Sequence, residues 1–290
     1  MCKVAGVNGV NDENREAVWE FMQELGSRIS VGNPHGLGYS AVDKNGDIFG
    51  EKWLHNADAF RDPSNMRNLN FYGTKVKDSY SFFGKKVKRD EARSIILHTR
   101  AATCDINIDN VHPFYDNKED PEVVLIHNGA ITNDDTLTKI HSTCDSEVIV
   151  HEYLKENCVK DLNNIQKVAD SIHGWYTCLV LAKDENGKPF MDIFSENGRL
   201  ATYFVKELNC RIYSSVAHDI KETCEFFGYS YTDGFKFLSD SMRRLDIDNG
   251  DILFKGTFQS MRPEQEARML EYWDQMFAEM EKENKSKKPE

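Results

Sequence analysis

Between residues 176 and 216 four strand-length apolar runs follow one another, at 176–183, 189–195, 200–206 and 210–216, and Asn-Gly turns join the first three. Links this short bring neighbouring strands back antiparallel, because a parallel return needs a crossover of a dozen residues or more. The same device recurs elsewhere. Asn45-Gly46 joins the run 36–42 to 47–53, and Asp248-Asn249-Gly250-Asp251 closes a last hairpin. Further strands are read at 2–8, 94–100 and 122–127. Helical spacing appears between them. Asn11-Asp12-Glu13 precedes Val18, Phe21, Met22, Leu25 and Ile29. Asp145 stands as the cap of a helix running to about Asn157, and others cover about 161–172, 218–227 and 263–282. Hairpins dominate over strand–helix–strand units, which predicts an antiparallel α+β fold. The stretch 55–92 is polar and weakly periodic and reads as a long loop with some helix.

At 290 residues the chain can bury a substantial core, and no domain boundary stands out before about residue 258. A formal net charge of −12 argues against direct nucleic-acid binding. No apolar run is long enough to span a bilayer, and the N-terminus carries no signal-peptide pattern. Seven cysteines without a repeating pattern point to reduced thiols and a cytoplasmic protein. Five histidines cluster at His98, His112, His127, His141 and His151, but their spacings match no zinc motif, so neither a metal nor another cofactor is expected.

Three stretches place polar groups directly after apolar runs, where sites are usually built: HTRAAT at 98–103, IHNGAI at 126–131 and STCDSEV at 142–148. Arg100 offers a planar fork for a carboxylate, with a surface ion pair as the plainer alternative. Asn128 and the N–H of Gly129 are usable as oxyanion donors, although Asn-Gly alone is also a turn. Asp145 can serve as a helix cap, as a ligand for an ammonium group, or as both. Cys2 stands directly behind the initiator methionine.

Together these stretches resemble the class II glutamine amidotransferase domain, the N-terminal nucleophile glutaminase. The family pattern is an N-terminal Cys on a strand, then HTRWATHG, HNGxIxN and TDxE. Here Cys2 is followed by His98-Thr99-Arg100-Ala101-Ala102-Thr103, His127-Asn128-Gly129-Ala130-Ile131-Thr132-Asn133 and Cys144-Asp145-Ser146-Glu147. Weaker echoes are Gly36-Leu37-Gly38-Tyr39-Ser40, Arg211-Ile212-Tyr213-Ser214-Ser215 and the closing hairpin within 245–253.

The resemblance covers residues 2–257 and implies a four-layer αββα sandwich of two mainly antiparallel sheets. It implies that removal of Met1 frees Cys2, whose thiol is the nucleophile. The α-amine, with an ordinary pKa of roughly 7.7–8.0, is then the base. Arg100 and Thr103 would hold the α-carboxylate of glutamine and Asp145 its α-ammonium. Asn128 and Gly129 would form the oxyanion hole, and a thioester on Cys2 would release glutamate and ammonia. Ala101 and Cys104 depart from the family's Trp and His. Cys104, Cys144, Cys158, Cys178, Cys210 and Cys224 read as structural.

Residues 258–290 hold only a helix and a charged tail, so a stand-alone glutaminase is expected, feeding ammonia to a separate synthase chain. The apolar stripe of 263–282 is a docking surface or packs on its own domain. Part of 55–92 is an insertion or a lid. Two alternatives remain at this stage: a hydrolase of γ-glutamyl amides or peptides, and a non-catalytic regulatory or binding subunit.

Overall fold

The computed structural model of the protein describes residues 2–54, 80–84 and 91–260, with Ala267 and Glu271 beyond them. In chain order its strands are β1 (Lys3–Asn8), β2 (Leu37–Asp43), β3 (Ile48–Trp53), β4 (Tyr80–Gly84), β5 (Ala92–Thr99), β6 (Phe114–Tyr115) and β7 (Val123–Ile131). They continue as β8 (Gly174–Lys183), β9 (Pro189–Ser195), β10 (Ala201–Val205), β11 (Cys210–Ser214), β12 (Tyr231–Asp233), β13 (Ser241–Asp246) and β14 (Ile252–Thr257). The α-helices are α1 (Arg15–Ile29), α2 (Glu147–Lys155), α3 (Ile165–Ser171) and α4 (Ala217–Phe227).

Two antiparallel sheets result. One has eight strands in the order β12-β10-β11-β1-β5-β2-β3-β4, the other six in the order β14-β13-β9-β8-β7-β6. The hairpins at Asn45-Gly46, Asn186-Gly187 and 247–251 form as the turn residues require, pairing β2 with β3, β8 with β9 and β13 with β14.

Side-chain alternation builds the layers. Even-numbered residues Val4, Ile96, Val124 and Ile126 share one buried cluster with Leu179, Leu181, Met191 and Ile193, and this is the space between the sheets. Odd-numbered Ala5, Val7, Ile95 and Leu97 face the other way and pack with Val18, Phe21, Met22 and Leu25 of α1 and Ile220 of α4. On the far side Val123, Leu125, Cys178 and Val180 pack with Val148 and Ile149 of α2 and Val168 of α3. The order is helix, sheet, sheet, helix, the αββα sandwich expected. Among the described residues no helix is long and apolar enough to cross a membrane.

Three strands escape the periodicity. β6 and β12 are only two and three residues long, too short to show alternation. β4 corrects the reading of 55–92 as loop with some helix: Tyr80-Ser81-Phe82-Phe83-Gly84 is an edge strand paired to β3. The remainder of that stretch, 55–79 and 85–90, lies outside the described residues, and with it the insertion or lid. The expected helix at 263–282, apart from Ala267 and Glu271, and the charged tail also lie outside them.

Candidate active site

β1 and β5 pair with Lys3 opposite Thr99, so one step further along the ladder Cys2 comes opposite Arg100. On the other side of β5 the Arg100 N–H donates to Gly36 O at 2.8 Å, which extends the β2–β5 pairing by one step. Parity then fixes direction. Cys2 continues the face of Val4, Arg100 that of Ile96, and Asn128 that of Val124 and Ile126, all turned toward the inter-sheet space. Three residues far apart in the chain thus turn toward the same inter-sheet space.

Cys2 is half-buried, and its Sγ lies 3.5 Å from Ala101 O. Burial pushes its thiol up from the ordinary cysteine range, and the Asp145 carboxylate acts in the same direction. The thiol therefore needs a base. Arg100 is 2 % exposed. Its Nη2 donates to Asp105 O at 3.0 Å, Cys104 O at 3.3 Å and Cys104 Sγ at 3.1 Å. Its Nη1 is buried without a partner, and among the described residues no carboxylate pairs with this guanidinium. A buried cation left in this state is costly unless a ligand supplies the anion.

Asn128 is 8 % exposed and its Oδ1 accepts no hydrogen bond, so the fold does not consume the amide. Gly129 must be glycine: a Cβ there would lie 2.0 Å from Trp175 O and 2.5 Å from His127 Nε2. Thr103 is exposed in the turn beyond Arg100 and, among the described residues, shares no hydrogen bond with Cys2, Arg100 or Asp145.

Asp145 does not cap α2. The N-cap is Ser146, whose side chain makes no capping bond to the helix, and Asp145 reaches backward instead. Its Oδ2 accepts from the Ile131 N–H at 2.7 Å, while Oδ1 meets the Ser146 hydroxyl at 3.3 Å and the Cys144 thiol at 3.4 Å. It ties the end of β7 to the start of α2 and holds a carboxylate close enough to Cys2 to act on its thiol. Glu147 gathers the preceding loop, accepting from the N–H groups of Ile140, His141 and Ser142 at 2.9–3.1 Å. Burial opposes its ionisation, but these bonds and His151 prevail and bring it to about 2.

Behind the site lie three imidazoles. His98 Nε2 meets His127 O at 3.1 Å, His127 Nδ1 meets Ser146 Oγ at 2.8 Å, and the His112 ring stacks on His98 with centroids 3.8 Å apart. His98, His112 and His127 are all buried. Burial lowers all three below the ordinary histidine range. Each therefore binds its proton more weakly folded than unfolded, and protonation favours the unfolded chain. Stability is expected to fall as pH drops below about 6.5, the unperturbed histidine value, when urea midpoints are compared at pH 7.5 and 5.5. An unchanged midpoint would contradict neutral, buried imidazoles. Among the described residues no group of three or more His, Cys, Asp or Glu side chains is arranged to hold a metal ion.

No protein-family model matches the chain, and no curated protein matches it. Solved structures do. The allosteric regulatory enzyme of purine biosynthesis superposes with a TM-score of 0.59 at 17% identity, over 90% of this chain and 50% of that one. Glutamine phosphoribosylpyrophosphate amidotransferase from B. subtilis, complexed with ADP and GMP, gives 0.58 at 16% identity with the same coverages. The chain has the N-terminal nucleophile hydrolase fold. It spans about half the length of these amidotransferases, so the likeness concerns the sandwich and not the rest of those chains.

Within this fold the structure also shows what the sequence reading passed over. Cys104 and Cys144 were read as structural, yet Cys104 is only partly buried and its sulfur is bonded to Arg100. The visible signal was that Cys104 stands two residues from HTRAA and Cys144 immediately before Asp145.

Proposed function

We propose that the chain is a class II amidotransferase-type glutaminase. It hydrolyses the side-chain amide of glutamine to glutamate and ammonia through a thioester on Cys2. The observation that carries this reading is Arg100, a buried guanidinium with Nη1 uncommitted, beside a cysteine at the start of the central strand. Removal of Met1 leaves Cys2 with a free α-amine, which takes the thiol proton and later delivers it to departing ammonia. Arg100 receives the α-carboxylate, Asp145 the α-ammonium, and Asn128 with the Gly129 N–H the oxyanion. Thr103, exposed beside this fork, would have to turn inward on binding to join it. Because ammonia is lost to water, a separate synthase chain is proposed to receive it.

Glutamate release from glutamine by the purified chain tests the proposal. No release, with or without a candidate synthase, sinks it. The role of Arg100 has its own test. Arg100→Lys keeps the charge but loses the bidentate fork, and it is expected to raise KM for glutamine roughly 10–100-fold with a smaller change in kcat. An equal fall in kcat with KM unchanged would place Arg100 elsewhere in the cycle.

A further inference from the structure

Cys104 and Cys144 come from segments 40 residues apart, one following β5 and one preceding α2, yet the structure holds them side by side. Asn110, fully buried, is the clasp. Its Nδ2 donates to Asp105 O at 2.9 Å and to Thr143 Oγ1 at 2.8 Å, and its Oδ1 accepts from the Thr143 N–H at 2.9 Å. The residues next to both cysteines are therefore pinned to one side chain. The two sulfurs are close enough to act on each other's ionisation. Each sulfur also touches a residue of the glutamine site. Cys104 Sγ accepts from Arg100 Nη2 at 3.1 Å, and Cys144 Sγ donates to Asp145 Oδ1 at 3.4 Å. Cys104 is partly open to solvent while Cys144 is 5 % exposed.

We propose that Cys104 and Cys144 are a modification site: a thiol pair that a peroxide converts into a disulfide within the candidate active site. Cys104 is the attacking sulfur, because it is the accessible one and has a guanidinium beside it. Its neighbours Cys144 and Arg100 lower its pKa against the effect of burial, while that of Cys144 is raised. The Cys104 thiolate attacks hydrogen peroxide. The O–O bond breaks, an S–O bond forms, and hydroxide leaves to be protonated to water. The Cys144 sulfur then attacks the sulfenic acid. An S–S bond forms, the S–O bond breaks, and the leaving hydroxide takes the Cys144 proton as a second water. Peroxide is reduced by two electrons and the thiol pair is oxidised by two.

The consequence for the site rests on the glutamine reading above. In the reduced state an anionic sulfur competes with the substrate carboxylate for Arg100, and a thiol occupies Asp145 Oδ1. The disulfide is neutral and donates nothing, so it frees both ligand-binding groups. Oxidation is expected to tighten glutamine binding by about tenfold, the scale of removing one unit charge a few ångströms from the ligand in a partly buried site.

The full-length chain carrying Cys2→Ala tests both statements without turnover or oxidation of the nucleophile. After hydrogen peroxide, peptide mapping should show residues 104 and 144 cross-linked, reversibly with dithiothreitol. Calorimetry should show glutamine binding tightened about tenfold, and Cys144→Ser in the same background should show neither change. Oxidation that stops at sulfinic acid on Cys104, or cross-links other cysteines, overturns the thiol pair. A cross-link that leaves glutamine affinity unchanged or weaker overturns the assigned consequence. A cross-link in a chain that binds no glutamine in either state upholds the thiol pair and counts against the glutaminase reading.

Discussion

Replacing Cys2 by alanine is expected to abolish glutamate release, a fall on the order of 10⁴-fold or more, because the proposed nucleophile has no substitute. The other cysteine beside Arg100, Cys104, does not stand on the strand that faces Asn128 across the sheets. The loss should come with an unchanged circular dichroism spectrum and melting temperature, since a half-buried thiol at the first described residue adds little to the core. The same residue sets the pH dependence. Burial raises the Cys2 thiol, so at pH 7 the sulfur is held as S–H and must give its proton to a base. The freed α-amine is competent only when neutral. Accordingly kcat/KM is expected to rise with pH and level off near pH 8, the unperturbed amine value being roughly 7.7–8.0. Intact mass of the active protein should show Met1 missing. A chain that keeps Met1 and turns over glutamine at full rate would contradict the amine as base, and one with Cys2→Ala that still releases glutamate would remove Cys2 from the chemistry.

Much of this site was legible because its parts sit at fixed distances from strong local signals. Cys2 and Arg100 flank apolar strands and Asn128 follows the apolar run of β7, and a period of two turns all three toward the space between the sheets. What periodicity cannot give is which strands become neighbours. That β1 lies between β5 and β11, and so brings Cys2 against Arg100, depends on long-range pairing. Asp145 shows a second limit. A carboxylate before a helix is read as its cap, but the Ile131 N–H at the end of β7 competes for the same oxygen and wins. Cys104 shows a third. Free cysteine resembles a small hydrophobe by composition, and only the placement of a guanidinium at 3.1 Å sets it apart. The edge strand β4 was missed because an edge needs only one partner, so five residues of mixed character suffice to pair with β3.

Arg244→Met is expected to be the most damaging single change away from the site. Arg244 lies on β13 and grips Asp192 of β9 with both oxygens engaged, Nε to Oδ1 and Nη2 to Oδ2, each at 2.8 Å. Asp192 is fully buried, and its second acceptor contact is the Tyr153 hydroxyl of α2 at 2.5 Å. The remaining Arg244 donors go to Val159 O at 2.7 Å and Cys158 O at 2.9 Å, closing the chain after α2, and the guanidinium rests on the Phe190 ring. Methionine keeps most of the stem but leaves the carboxylate in an apolar layer with one hydroxyl for company. Burial raises Asp192, and Arg244 is the main opposing influence, so its loss forces the carboxyl toward its protonated form. The cost of stranding such a charge is about 3–5 kcal/mol, or roughly 6–20 °C in melting temperature for a domain of this size. Removing both charges, as Arg244→Met with Asp192→Leu, is expected to restore most of that loss, because the penalty comes from the unpaired ion rather than from the missing bond. A single-variant loss below about 1 kcal/mol would mean the pair is solvated in a way its burial does not allow. The network sits on the helix-covered side of the second sheet, whereas Cys2, Arg100 and Asn128 face the space between the sheets. The folded fraction of Arg244→Met should therefore keep a glutamine KM within about twofold of the parent, which separates damage to the scaffold from damage to the chemistry.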